Sequence, residues 1–548
     1  MKQFMLTSVF AGKLDFSMFS ILAVLSTVLM VFVGYKLLQM LQLTGYKLNG
    51  FCKWLKETKG SYVSRLFMLS FLSVSAMLIT NVLLADFFTH RVLSYIGILF
   101  YILFSSMFIT NLFTAKQKTP LKYTKRMTRF VVVFTILVGA ATWALQYVGY
   151  RWIPYLSFGL IGVIPVMLPV FVFLAYFITW PFEKLISNSY IKKSKMKLES
   201  HKNLKIIGVT GSYGKTSVKN ILEKIVSEKF KVCASPSSYN TPLGISKTIL
   251  SNLKDDDEVF IAEMGAKQRF DIKELCEMVK PDIGVVTGVG NQHLLTFGSV
   301  DNVLKTKAEL ADYIVEHDGK LFVNVDNELT KNIAKQYTKA IQTSLDGKND
   351  LKVDNIKISK DGSTFNLIYG KEKVSCKTIL LGTHNISNIL LASRVALELG
   401  LTLKEISAGI EKLATIPHRL EIVKSSSTYT IIDDAYNSSV EGSRASLDVL
   451  SHFDGKKFVI TPGLVELGNE QFNCNFEFGK NMAEVCDYVI IDSSINYEAI
   501  RTGLSFAGFK EENIIQTANL SQAVEILNKL AGPTDVVLFE NDLPDNYS

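Results

Sequence analysis

Acidic residues are nearly missing from the first 203 positions, which hold 5 Asp and Glu against 22 Lys and Arg, a net charge of +17. The remaining 345 hold 46 against 37, a net of −9, so the overall +8 describes neither part. A basic excess set between apolar runs suits anionic lipid headgroups and argues against a nucleic-acid partner. Cysteine is also scarce. The six, at 52, 233, 276, 376, 474 and 486, show no CxxC spacing and are expected to be reduced and structural. No repeat and no low-complexity segment occurs. No convincing Ser-His-Asp or Cys-His arrangement is present, and Gly288 and Gly290 lack the spacing and the following acid of a dinucleotide fingerprint.

Long apolar runs, by contrast, are plentiful at the N-terminal end. Residues 16–35, 66–85, 92–112, 130–149 and 156–178 each offer about 20 predominantly apolar residues, enough for a helix to cross a hydrocarbon layer of ~30 Å. Five spans are expected. The loop 36–65 carries Lys36, Lys47, Lys53, Lys56, Lys59 and Arg65 against Glu57, and 113–129 carries six basic residues and no acid. Both belong on the cytoplasmic side. The N-terminus is then outside and everything after Trp180 lies in the cytoplasm, in a multi-pass protein of the cytoplasmic membrane. No small-residue cleavage site follows 16–35, so this run is read as retained.

Beyond 203 the apolar runs shorten to 259–263, 283–287 and 321–325, then 429–433, 457–461, 488–492 and 535–540, alternating with helical patterns. Such alternation predicts parallel sheets with helices on both faces. Between the two sets, 353–380 alternates polar and apolar residues and suggests a small antiparallel insert. The expected organisation is a membrane domain over 1–185, a polar linker over 186–203, a central domain over 204–415 and a C-terminal domain over 416–548.

Residues 210–216 read TGSYGKT after the apolar run 206–209. A strand that ends in glycines and opens into a helix aims several backbone N–H groups at one spot, which suits phosphate. Thr210, Gly211, Ser212, Gly214 and Ser217 shape that cradle. Lys215 can reach the β/γ-phosphates of ATP, and the Thr216 hydroxyl is placed for Mg²⁺. The strict P-loop pattern needs glycine at 209, where this chain has Val209. No LSGGQ-like signature follows, so an ATP-driven transporter, which spans plus a P-loop invite, is the weaker reading. Strand ends supply further candidates. Glu263 closes the run 259–263, where a carboxylate can hold the Mg²⁺ that bridges ATP and substrate. His293 is either an ordinary loop residue or a ligand. Lys307 is either a solvated helical lysine or part of the site. Asn324 and Asp326 are either a turn or ligand contacts.

Eight segments in one order then carry a resemblance: TGSYGKT, EMGA at 263–266, GNQHLLTFGS at 290–299, TKAEL at 306–310, VNVDN at 323–327, GTHNISN at 382–388, PHRLEIV at 417–423 and DDAYNSS at 433–439. Over roughly 205–540 the chain resembles the Mur ligases, most nearly the branch that adds D-Ala-D-Ala to the muramyl tripeptide; other members make folyl-polyglutamate or polymerise glutamate. Behind the helical membrane domain read from the apolar runs, the resemblance implies an α/β P-loop ligase domain and a smaller Rossmann-like C-terminal domain. It implies ATP and Mg²⁺ as cofactors, and an amide bond made through an acyl phosphate in bacterial envelope synthesis. Residue by residue, it implies Lys215 and Thr216 on the triphosphate and Mg²⁺, and Glu263 and His293 as metal ligands. Lys307 matches a lysine that several relatives carry as a metal-binding carbamate. Asn385 and Asn388 would contact the base, Arg419 phosphate, and Asp434 the ribose, with Asp433 as the alternative register. Ser238, Asn240 and Thr241, with Tyr436 and Asn437, would line the acceptor site. Five spans stand where the family places a soluble domain that grips a uridine nucleotide, and LFENDLPDNYS stands where KGS is usual. A lipid-linked or polymeric acceptor, a different amine pocket and an envelope-export partner are therefore expected.

The topology is open to direct test. In intact cells a cysteine placed at Lys118 should be shielded from an impermeant thiol reagent, whereas one placed at Thr89 should be labelled; external labelling at 118 would reverse the orientation.

Overall fold

The structure is a computed structural model and describes residues 16–57, 61–83, 90–114, 119–152, 159–236, 239–290, 294–359, 361–423, 427–435, 439–465 and 467–541. The chain divides into two compact units, one within residues 1–186 and one within 187–543.

The first unit is helical. Among the described residues, four helical stretches are long and apolar enough to cross a membrane: Tyr62–Thr80, Ile96–Phe113, Lys125–Val148 and the one beginning at Leu160. A fifth arises only if Leu22–Val33 and Tyr35–Leu43, bent by 41°, count as one. The bend falls at Gly34, where a Cβ would stand 3.0 Å from the Phe134 ring, so glycine permits the close approach of two helices. The expected loop 36–65 is itself partly helical, in Tyr35–Leu43 and Leu48–Glu57. Leu37, Leu38 and Leu41, then Phe51 and Trp54, recur at helical spacing and are buried. Gln39 and Gln42 donate to the carbonyls of Thr119 and Lys122, each at 2.7 Å, and Lys122 N donates to Gln42 Oε1 at 2.8 Å. These bonds fix the basic segment that follows helix His90–Thr114.

The second unit holds three sheets. Strands β1 (Lys205–Thr210), β2 (Val232–Ala234), β3 (Val259–Glu263), β4 (Ile283–Val286), β5 (Lys320–Asn324) and β6 (Ile341–Thr343) form a parallel sheet in the order β2-β3-β1-β4-β5-β6. Every residue of β3 and β4 is buried, as continuous apolar strands covered on both faces must be. Strands β7 (Leu351–Ser359), β8 (Gly362–Tyr369) and β9 (Glu372–Thr378) form the antiparallel insert. The last sheet, β10-β11-β15-β12-β13-β14, is parallel apart from β10 (Glu421–Val423). It contains β11 (Thr430–Asp434), β12 (Lys457–Thr461), β13 (Tyr488–Ile491), β14 (Ile514–Gln516) and β15 (Val536–Glu540).

The polar stretch expected as a linker is helical as far as Ser200, in helix Ile164–Ser200. Its residues Ile191 and Leu198 pack on the central core, Ser194 Oγ lies 3.1 Å from Ser246 Oγ, and Lys197 Nζ donates to Leu253 O at 2.6 Å. Lysine-rich composition hid one apolar face at helical spacing.

Candidate active site

The carboxyl ends of β1, β3, β4 and β5 meet the end of β11 around a cavity of about 800 Å³. Strand β1 leads into it through the glycine segment. Ser212 N donates to Gly288 O at 2.6 Å, pressing the loop against the end of β4. A Cβ on Gly211 would stand 2.1 Å from Thr287 Oγ1, so no other residue fits there. Gly214 takes a left-handed backbone, φ 78°, and caps helix Lys215–Val226, turning its N-terminus toward the cavity. Lys215 Nζ donates to Gly211 O and Ser212 O, both at 2.8 Å. Burial, reinforced by Arg419 and opposed by Glu263, pushes its ammonium down to about 8.

Ser212, Gly214, Lys215, Thr216, Ser217, Asn240, Glu263, Asn324, Asp326, Asn385, Asn388, Arg419 and Asp434 all stand on the cavity wall. Glu263 Oε1 accepts from Asn240 Nδ2 at 3.1 Å, and its N–H donates to Ser235 Oγ at 3.1 Å. Thr210, Gly211 and Lys307 lie behind the wall. Lys307, on helix Val300–Glu316, is only 3% exposed, which removes the solvated-face reading. Burial, then the charge of Lys215, pushes it down to about 7, against the pull of Asp271 and Glu309. Thr241 instead caps helix Pro242–Ser251, accepting from Gly244 N at 3.3 Å. His293, Ser238, Tyr436 and Asn437 lie outside the described residues.

On the opposite wall, Asn324 Nδ2 donates to Ser387 Oγ at 2.7 Å, and Ser387 Oγ donates to Asp326. Asn385 Nδ2 donates to Leu381 O at 2.8 Å. Arg419 sits between His418 and Leu420, two non-glycine residues in left-handed conformation with φ of 61° and 47°. Asp434 takes Leu420 N at 3.2 Å and Ser446 Oγ at 2.5 Å, and burial holds its carboxyl above the usual range despite those bonds and Arg419. Asp433 points elsewhere, to His418 Nδ1 at 2.7 Å, which favours Asp434 of the two registers. Sequence reading missed His384, whose buried Nδ1 has no hydrogen-bond partner among the described residues and whose imidazole burial pushes down to about 4. It also missed Lys219, whose lysine gave no signal beyond its helical spacing.

The wall suits a nucleotide: backbone N–H groups and Lys215 for phosphates, and amides for a base. Thr216 and Glu263 supply oxygen donors of the hard kind that Mg²⁺ takes. Among the described residues, no group of three or more His, Cys, Asp or Glu gathers as a metal site, here or elsewhere.

Comparison with known proteins agrees with this arrangement. The Mur ligase middle domain matches residues 209–396, and the glutamate ligase domain of the Mur ligases matches 418–540. A UDP-N-acetylmuramoyl-tripeptide D-alanyl-D-alanine ligase of Mycobacterium bovis is 28% identical over 357 residues, covering 61% of this chain and 70% of its own. MurF from Acinetobacter baumannii superposes with a TM-score of 0.58 at 22% identity, covering 65% of this chain and 77% of that one. MurF ligase from Thermotoga maritima in complex with ADP gives 0.57 at 25% identity, covering 65% and 80%. The two matched stretches together span more than half of the sequence and contain nearly every residue of the cavity wall, and the chain belongs to the Mur ligases, a family of ADP-forming, ATP-dependent ligases.

Proposed function

We propose that the protein is a membrane-anchored ligase that joins a carboxylate to the amine of an amino acid or peptide in cell-envelope synthesis, through an acyl phosphate. The observation that carries this reading is the convergence of Lys215, Thr216, Glu263, Asn385, Asn388, Arg419 and Asp434 on one cavity wall. The relatives are named for adding D-alanyl-D-alanine to a UDP-muramoyl tripeptide, which supports an envelope peptide as acceptor and a short peptide or amino acid as amine. The apolar helices of residues 16–200 support anchoring, because Phe67, Phe71, Ile136 and Phe177 are each over 60% exposed on them. Bilayer hydrocarbon is the solvent such faces suit. Such anchoring supports a lipid-linked acceptor.

The chemistry asks for positioned charge rather than a nucleophilic side chain. A carboxylate is a poor electrophile, so the acceptor carboxylate attacks the γ-phosphorus of ATP; ADP leaves, the amine attacks the acyl phosphate, and inorganic phosphate departs. Lys215 exchanges its two loop carbonyls for phosphate oxygens, and Arg419 stabilises the spreading negative charge. Asn385 and Asn388 orient the base, and Asp434 the ribose. Thr216 and Glu263, with His293, would hold Mg²⁺, which supplies Lewis-acid stabilisation of the transferred group. Lys307, buried and pushed down to about 7, loses its proton readily, and its neutral amine can add to CO₂ and release a proton to give a carbamate, which would supply a further metal-binding oxygen.

Phosphate release by the membrane-reconstituted protein, screened over amino acids, dipeptides and envelope precursors, tests the reaction; ATP turnover that no carboxylate and amine pair stimulates would sink it. Lys215→Ala should lower the rate roughly 10²–10³-fold, or about 3–4 kcal/mol. The affinity for ADP should fall about tenfold between pH 7 and pH 9 as the free lysine loses its proton through about 8. Lys215→Arg, charged throughout, should bind weakly or well but without that slope. Lys307→Ala should lose activity that short carboxylic acids partly restore, whereas Lys215→Ala should not be rescued. Full activity in unsupplemented Lys307→Ala would remove that lysine from the site.

A further inference from the structure

Lys219 takes no part in the steps above, yet it is 1% exposed. It stands one turn beyond Lys215 on the same face of helix Lys215–Val226, behind the cavity wall rather than on it. Its Nζ donates to Ser235 O at 2.7 Å and lies 3.4 Å from Glu263 Oε2, with both side chains at 1% exposure. The other carboxylate oxygen, Oε1, accepts from Asn240 Nδ2, a residue on the wall. The two oxygens of Glu263 therefore differ: Oε1 accepts a hydrogen bond from a neutral amide of the cavity wall, and Oε2, with no hydrogen bond among the described residues, faces the ammonium as an ion pair.

At this spacing, with water excluded, the ion pair is strongly coupled. A carboxylate whose charge is already matched offers little to a free dication, and Mg²⁺ sheds its water reluctantly. A dication that arrives on a triphosphate brings its own counter-charge and asks Glu263 for one oxygen only. We infer that Lys219 is the standing counter-cation of Glu263, a positioning residue that makes divalent-metal binding at Glu263 conditional on nucleotide. This rests on the reading of Glu263 as a metal ligand. Ser235 fastens both partners: its carbonyl receives Lys219 and its Oγ receives the Glu263 N–H.

Mn²⁺, followed by electron paramagnetic resonance as it becomes protein-bound, tests this on the full-length protein with and without a non-hydrolysable ATP analogue. Wild-type protein should take up Mn²⁺ with the analogue and leave it free without. Lys219→Met should bind Mn²⁺ without nucleotide at least about tenfold more tightly than wild type, whereas Lys219→Arg should behave as wild type. Equal uptake by the wild type with and without the analogue overturns the inference, and this arm decides even if the Met variant does not fold. A folded Lys219→Met with unchanged or weaker nucleotide-free uptake overturns it too. Glu263→Gln separates the two readings. If it binds Mn²⁺ with the analogue as tightly as wild type, Glu263 is no ligand and both fall; if it loses uptake while Lys219→Met matches wild type, only the role of Lys219 falls.

Discussion

Positive charge, buried at Lys219 and Lys307 and half-buried at Lys215 and Arg419, is the constraint around which the ligase unit is arranged. Lys215, Lys219, Lys307 and Arg419 belong to one electrostatic neighbourhood, in which Lys215 lowers the proton affinity of Lys307 and Arg419 lowers that of Lys215. Glu263 is the carboxylate that works against this at both Lys215 and Lys219. Burying like charges together is unfavourable without a counter-ion, so the fold stores a demand for a polyanion at the ends of β1 and β3. A triphosphate meets that demand. The backbone serves the same end, since the glycine segment is pinned by Gly288 O and by the packing of Gly211 on Thr287, so the phosphate cradle keeps its shape before any ligand arrives.

The helical unit solves a different problem with the same currency of charge. Its long helices turn phenylalanine and isoleucine outward and keep Phe134 and Leu168 inward, Leu37 and Phe51 are buried on the two short helices, and the basic residues stand mostly toward helix ends or on those short helices. Arg129 makes two bonds to Glu183, at 2.6 and 3.0 Å, and Arg126 lies 3.9 Å over the Tyr46 ring. Glu183 is thus taken up by Arg129 and Arg126, and most of the basic surplus of this region has no acid to match it.

Much of the ligase fold was legible because local and global signals agree there. The runs 259–263 and 283–287 are apolar up to their last residues, Glu263 and Thr287, as strands covered on both faces must be, and the glycines of TGSYGKT declare a turn that only they can make. The short edge strands β2, β6, β10 and β14 were not legible, since three residues carry no period. Helix Leu403–Glu411, closed by a Thr402–Glu405 capping box, did carry a signal and went unread. Within the site, motif residues such as Glu263, Asn388 and Arg419 were read from the sequence and stand at the wall, whereas the roles of His384, also on the wall, and of Lys219 went unread. Their importance lies in burial, and burial of a single polar residue is decided by tertiary packing that no spacing records. Thr241 shows the converse, a motif neighbour whose hydroxyl caps a helix instead.

The turn that presents Arg419 carries a cost of its own. Two left-handed non-glycine residues, separated only by the arginine, each raise the local energy by about 1–2 kcal/mol, and the bonds from His418 to Asp433 and from Leu420 to Asp434 hold them there. Glycine at 418 or 420 relieves the steric part and at the same time frees the guanidinium to wander. A campaign to harden this enzyme by relaxing its outliers would therefore find its easiest gains at the place where they do most harm, and a thermostable but sluggish variant is the form that error takes.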